Sequence, residues 1–240
     1  SWCVGAFVPC RTRRNENEIV RDSFPVAMGS EASEVRPDMR TSPIPWERPH
    51  GHSAVGFVRT VGALVLSVGR VSREFPAGTI TDAVGFYALV ELLWLTGDTL
   101  THAVLAKRPL IENLERQLGL VGGLALVGLV SAAVAHLVAS NSRSDARWSD
   151  AVRVFSYAAG IYSLLRIAIL PFFAARAESM PHFAELAFVL YVGPLLFSAI
   201  FAVRAIRARY RVSLLRSFVG VVVLPALVVG IASLTLYGPH

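Results

Sequence analysis

Beyond residue 80 the apolar positions fall into five long blocks: 83–100, 118–139, 152–173, 186–203 and 218–236. The last two are the clearest, 18 and 19 residues without a single charge. A hydrocarbon layer of about 30 Å takes ~20 helical residues to cross, so each block is long enough to span. The first carries Glu91 and Asp98, and the third carries Arg166. The second is rich in Gly and Ala, with Gly119-Leu-Val-Gly-Gly123 at a spacing that lets helices approach closely. The third ends near Pro171, and Pro194 and Pro225 are expected to kink the fourth and fifth, which neighbouring helices tolerate.

Upstream the texture changes. Residues 54–69 form a shorter apolar stretch interrupted by Arg59, either a sixth span or a helix lying in the interface. Crossing would put Arg36, Arg40 and Arg48 outside, against the bias of Lys and Arg for the cytoplasmic side, so the interfacial helix is preferred. Residues 1–53 are polar and rich in Pro, Arg, Glu and Ser without sustained periodicity, which reads as disordered. Within them, the prolines around Trp46 and Glu47 force extended backbone, and the Trp46 ring suits a headgroup zone. The expectation is therefore an all-α integral membrane bundle of five transmembrane helices preceded by an interfacial amphipathic helix. A disordered, Pro-rich cytoplasmic leader occupies 1–53, the interfacial helix and linker 54–78, and the transmembrane domain 79–240.

Charge sets the orientation. Arg204, Arg207, Arg209, Arg211 and Arg216 lie in one connection with no acid among them. With the N-terminus inside, the cytoplasmic segments from Arg70 onward hold ten basic residues, against Lys107, Arg108, Arg116 and Arg176 outside. The chain is expected in the cell membrane with its C-terminus extracytoplasmic. Composition agrees, at 54% apolar and 17% charged. Net charge is +6, but the bases sit beside apolar blocks, so anionic headgroups rather than nucleic acid are the expected partner. A homo-oligomer or a membrane-protein partner fits as well. Cys3 and Cys10 allow one short-range disulfide and no four-ligand metal site. The opening residues lack the basic start of a signal peptide, and Met28 and Met39 are candidate starts.

Three charges inside the blocks are the candidate chemistry. Each costs ~2.5–3.5 kcal/mol near a helix centre if it faces lipid, so Glu91, Asp98 and Arg166 are read as a structural polar cluster or an ion path. The first and third spans run in the same direction, and counting ~1.5 Å per residue places Asp98 level with Arg166 and Glu91 about 10 Å away. Asp98 is thus the expected partner of Arg166. His136 reads as a hydrogen-bonded interface residue, and His50-Gly-His52 lacks further ligands for a metal. Thr96-Gly97-Asp98 lacks the companion motif of an intramembrane aspartyl protease, and zinc-helix, P-loop and nucleophile-elbow patterns are missing. No enzyme activity, cofactor or metal is expected. The arginine connection serves topology, and also offers a surface to acidic lipid or an acidic partner.

In order along the chain stand Pro45-Trp46-Glu47 before a short apolar helix, Glu74-Phe75-Pro76 with Gly78, and Phe86-Tyr87 opening the first span. Tyr157 then precedes Pro171 in the third, and the basic connection 204–216 leads into Leu224-Pro225. This series, over roughly residues 43–236, resembles the bacterial branch of the Yip1-domain family. Val68-Gly69-Arg70-Val71 lacks a proline usual there, and the Asp-Leu-Tyr-Gly-Pro stretch of eukaryotic members is absent from the first span, Leu236-Tyr-Gly-Pro239 falling at the wrong place. The resemblance implies a five-helix membrane domain with a cytoplasmic N-terminus, whose eukaryotic relatives are tied to vesicle traffic, small GTPases and membrane shaping. The leading expectation is a non-catalytic membrane-organising protein. The alternative is a small transporter or channel subunit using Glu91, Asp98 and Arg166, which the lack of internal repeats disfavours.

Overall fold

Each apolar block becomes a helix in the computed structural model, which describes residues 42–48, 50–75, 78–105, 110–140, 144–176 and 183–237. All of them belong to one unit, Arg36–His240. After a short 3-10 turn at Pro45–Glu47 come α1 (Ala54–Leu66), α2 (Val68–Arg73), α3 (Ile80–Leu105), α4 (Leu110–Ala139), α5 (Trp148–Arg176) and α6 (Phe183–Tyr210). Then α7 (Leu214–Phe218) passes through a π-helical turn (Val219–Val223) into α8 (Leu224–Tyr237). No strand occurs among the described residues.

Five of these stretches are long and apolar enough to cross a bilayer: Ile80–Thr101, Gln117–Ala139, Trp148–Ile169, Phe188–Tyr210 and Leu214–Ala232. They coincide with the five blocks. A chain built this way is a multi-pass integral membrane protein. The shorter α1 has 13 residues. At 1.5 Å per residue it is roughly 20 Å long, too short for a layer of about 30 Å. The all-α, five-span architecture with a short amphipathic helix ahead of it is therefore the architecture observed.

Local signals explain where the helices begin. Ser53 Oγ accepts from Gly56 N at 3.1 Å and Ser213 Oγ from Arg216 N at 3.3 Å, the side-chain caps of α1 and α7. Thr79 Oγ1 accepts from Asp82 N and donates to the Asp82 carboxylate, so the two lock the first turn of α3. At the start of α5, Asp150 Oδ2 reaches back to Arg147 N at 2.9 Å, the return half of a capping box.

α5 is the central helix. Half of its span is buried, against 17% for α4, and it packs on α3, α4 and α6. Close approaches occur where glycine allows them. A Cβ on Gly160 would lie 3.0 Å from the Phe86 ring, and one on Gly220 3.2 Å from Val138. The glycines at 119, 122 and 123 have open space where their Cβ atoms would be, so that motif makes no close helix contact within the chain. Pro194 is accommodated inside a continuous α6, whereas the turn ahead of Pro225, which has no N–H to give, widens to π geometry.

One end of the bundle gathers the finish of α4 and α6, the start of α3, α5 and α7, and the 3-10 turn with α1 and α2. Arg204, Arg207, Arg209, Arg211 and Arg216 lie at this arginine-bearing end. Several expectations fall outside the described residues: disorder before residue 42, the Cys3 and Cys10 pairing, the starts at Met28 and Met39, and the placement of Pro76, Lys107, Arg108, Arg143 and Pro239.

Candidate functional site

Three residues of α5, Asp150, Arg153 and Tyr157, share one face by their three- and four-residue spacing, and that face meets the Pro-Trp-Glu turn. Arg153 is fully buried and Glu47 is 4% exposed. Glu47 Oε1 accepts from Arg153 Nη2 and from Tyr157 Oη (3.0 Å), and Oε2 accepts from Ser42 Oγ at 3.2 Å. The Arg153 guanidinium also lies 5.0 Å from the centre of the Phe75 ring and 3.6 Å from Asp150 Oδ1. Asp150 in turn holds Arg209 Nη2 at 3.0 Å, and Arg209 Nη1 reaches Asp145 at 3.5 Å. Burial pushes the Glu47 carboxyl above the usual carboxylate range, against the opposing pull of the Arg153 charge and the three hydrogen bonds.

The turn is fastened a second time through its tryptophan. Trp46 N donates to Thr60 Oγ1 of α1 at 2.8 Å, and Trp46 Nε1 donates to the Asp82 carbonyl at 2.9 Å. The ring sits 4.7 Å from His52 and about 6 Å from both Phe57 and Phe86. Trp46 is thus a wedge between α1 and α3, where the sequence suggested a headgroup anchor. Ser42, Ile44 and Glu47, read from sequence as part of the leader, are buried with it. A Cβ on Gly78 would crowd the Arg153 guanidinium and the Glu47 carboxylate.

The arginine connection divides into two kinds of residue. Arg216 donates from Nε to Val138 O at 2.5 Å and from Nη2 to Ser140 O at 3.0 Å, closing carbonyls left open at the end of α4. Arg209 belongs to the ion network. Arg204, Arg207 and Arg211 are exposed, as are Arg59, Arg70 and Arg73 on α1 and α2. Nearby, Tyr210 Oη donates to Arg147 O at 3.0 Å and lies 2.8 Å from His136 Nδ1, the interface hydrogen bond expected of this histidine. His52 pairs with Asp82 at 3.0 Å.

The three charges within the spans do not form one cluster. Asp98 accepts from Gln117 of α4. Arg166 spreads over Trp94 at 4.3 Å, Tyr162 at 5.3 Å and Tyr191 at 5.9 Å, and the carboxylate its charge bears on is Glu91. The expected Asp98–Arg166 pairing is replaced by these contacts. Glu91 accepts from Ser163 Oγ, and the Tyr87 hydroxyl lies beside its carboxylate.

No family model, curated protein or solved structure matches the chain. The case for a site therefore rests on the geometry alone. Sequence reading marked Glu47 and Tyr157 only within the resemblance, and missed Asp150 and Arg153 as site residues. The signal available was the shared face of 150, 153 and 157 at the mouth of an apolar helix, two charges where lipid-facing residues belong.

Proposed function

We propose that the chain is a non-catalytic membrane-organising protein of Yip1 type, cytoplasmic at its N-terminus and extracytoplasmic at its C-terminus, acting on lipid and partner proteins at its arginine-bearing end. The carrying observation is α1. It is too short to cross, yet it leaves Val55, Val58 and Leu66 59%, 67% and 86% exposed at the same end as the exposed arginines. Apolar side chains and cations side by side suit the boundary between acyl chains and anionic headgroups. The residues that carry the family resemblance support the same reading. Trp46, Glu47, Phe75, Gly78, Phe86 and Tyr157, scattered along the sequence, meet around the buried Arg153 and hold α1 in place.

The test is lipid selectivity of the whole chain in discs of mixed zwitterionic and anionic lipid. Each base near an anionic surface contributes about 1 kcal/mol, screened by salt. The wild type is expected to enrich anionic lipid at low salt, and Arg204→Gln/Arg207→Gln/Arg211→Gln is expected to lose that enrichment while staying folded. Equal, salt-independent enrichment in both proteins would remove the electrostatic part of the proposal.

A further inference from the structure

Two half-open cavities adjoin beneath the middle of α4. The larger, about 240 Å³, lies between α4, α5 and α6 and reaches the π turn at Val221. The smaller, about 160 Å³, lies on the α3 side. Leu124 and Gly128 of α4 and Phe155 and Ala159 of α5 line both, so together they make a crevice between these two helices. Gly128 shows the gap directly. A Cβ there would meet nothing within 4 Å, whereas at the tight crossings of Gly160 and Gly220 the nearest atoms would be at 3.0 and 3.2 Å. The floor is a stripe of α5, Phe155, Ala159 and Tyr162, spaced four and three residues apart and only half-buried on the most central helix. Every helical residue of the walls falls inside a span, and Val127 and Leu195 at the larger cavity are 40% and 55% exposed. The crevice is thus continuous with the lipid-facing surface of the bundle.

Location and wall decide the occupant. Polar groups here already have partners: Ser163 donates to Glu91, the Tyr87 hydroxyl lies beside the same carboxylate, and Ser198 donates to Leu195 O at 2.9 Å. The remaining wall is hydrocarbon, and an apolar cavity of about 150 Å³ stays dry yet takes up benzene. Helices in lipid are held by van der Waals packing, so wall atoms facing an unfilled gap forfeit contacts that nothing else returns. At this depth the bilayer itself supplies hydrocarbon, and a flexible chain can follow the crevice beneath α4. We propose that this crevice is an acyl-chain site, in which one tail of a bilayer phospholipid leaves the lipid-facing surface and lies against Phe155, Ala159 and Tyr162. It uses no arginine of the connection and asks for no headgroup charge, so it stands apart from the headgroup contacts proposed above.

The full chain is placed in discs of zwitterionic lipid doped with a phosphatidylcholine that carries a diazirine midway along one tail. After irradiation the adducts are mapped by mass spectrometry. Adducts are expected at Phe155, Ala159 and Tyr162, equally at low and high salt. Outward-facing Leu126 of α4, 63% exposed, is the internal reference for ordinary lipid contact. Gly128→Leu has open space for its side chain, so it is expected to stay folded, to fill the crevice and to lose the α5 adducts while keeping those at Leu126. Ala199→Leu narrows the larger cavity from the α6 wall and is expected to act in the same direction. The proposal is overturned if wild type is labelled at Leu126 but not along the α5 stripe, as a crevice filled with water would give. It is equally overturned if folded Gly128→Leu keeps its α5 adducts. Should that variant fail to fold, wild type and Ala199→Leu decide.

Discussion

Glu47 and Arg153 stand 106 residues apart in sequence and meet almost wholly shielded from water. Taking two charges out of solvent is costly, and removing one partner strands the other, at roughly 3–5 kcal/mol. Arg153→Met is expected to cost that much in thermal unfolding, since it leaves both Glu47 and Asp150 without their shared cation. Glu47→Gln is expected to cost less, because the neutral amide needs no counter-charge and Arg153 keeps Asp150. The pH dependence follows from the same burial. The folded state holds the Glu47 proton more tightly than the unfolded chain does, so this group's contribution to stability is full below the ordinary carboxylate range. It is lost as pH rises through the raised folded pKa. Unfolding temperature should therefore fall over that window in wild type, and the fall should be reduced in Glu47→Gln. Parallel profiles in the two proteins would mean Glu47 is ionised throughout. At this scale the sequence was legible only in part. Charges inside apolar blocks stand out by their cost, which marked Glu91, Asp98 and Arg166. Depth along a helix says nothing of azimuth, however, and Asp98 turns to Gln117 of α4 while Arg166 turns to aromatic rings. A pairing between a turn and a span across 106 residues leaves no local pattern at all.

Helix by helix, the blocks were legible because a spanning segment must be apolar over its whole length, whichever neighbour it meets. What stayed hidden is which face meets which. Gly119, Gly122 and Gly123 look like a contact motif yet face open space, while Gly220 carries the close approach of the π turn to α4. Gly220→Leu is accordingly expected to destabilise by about 1–3 kcal/mol, the usual cost of overpacking, and Gly122→Leu to change little, both read by thermal unfolding. Equal effects would mean that the contact has been misplaced. The five arginines looked alike in sequence and are not. Arg209→Gln, which strips a cation from buried Asp150, is expected to cost about 1–3 kcal/mol, whereas Arg207→Gln, on an exposed side chain, should stay within about 0.5 kcal/mol. A neutral Arg209→Gln would show that Arg153 alone satisfies Asp150.

At the scale of the whole molecule, five spans make an odd number of crossings, and the Pro-Trp-Glu turn, α1 and the arginine connection gather at one end of the bundle. The sequence reached this through charge counting and the shortness of one apolar stretch; the fold adds the physical tie, a buried ion network and a tryptophan wedge that hold α1 to the mouth of the bundle. Charge bias reports where loops go during insertion, whereas the tie reports where α1 rests in the folded chain. The most direct measurement is side-specific labelling of single cysteines in intact membranes, with Cys3 and Cys10 replaced by Ser. Ser42→Cys, Leu66→Cys and Arg207→Cys should react with an impermeant thiol reagent from one side, and His240→Cys only from the other. Opposite sides for positions 42 and 66 would make α1 a sixth crossing helix and contradict the account.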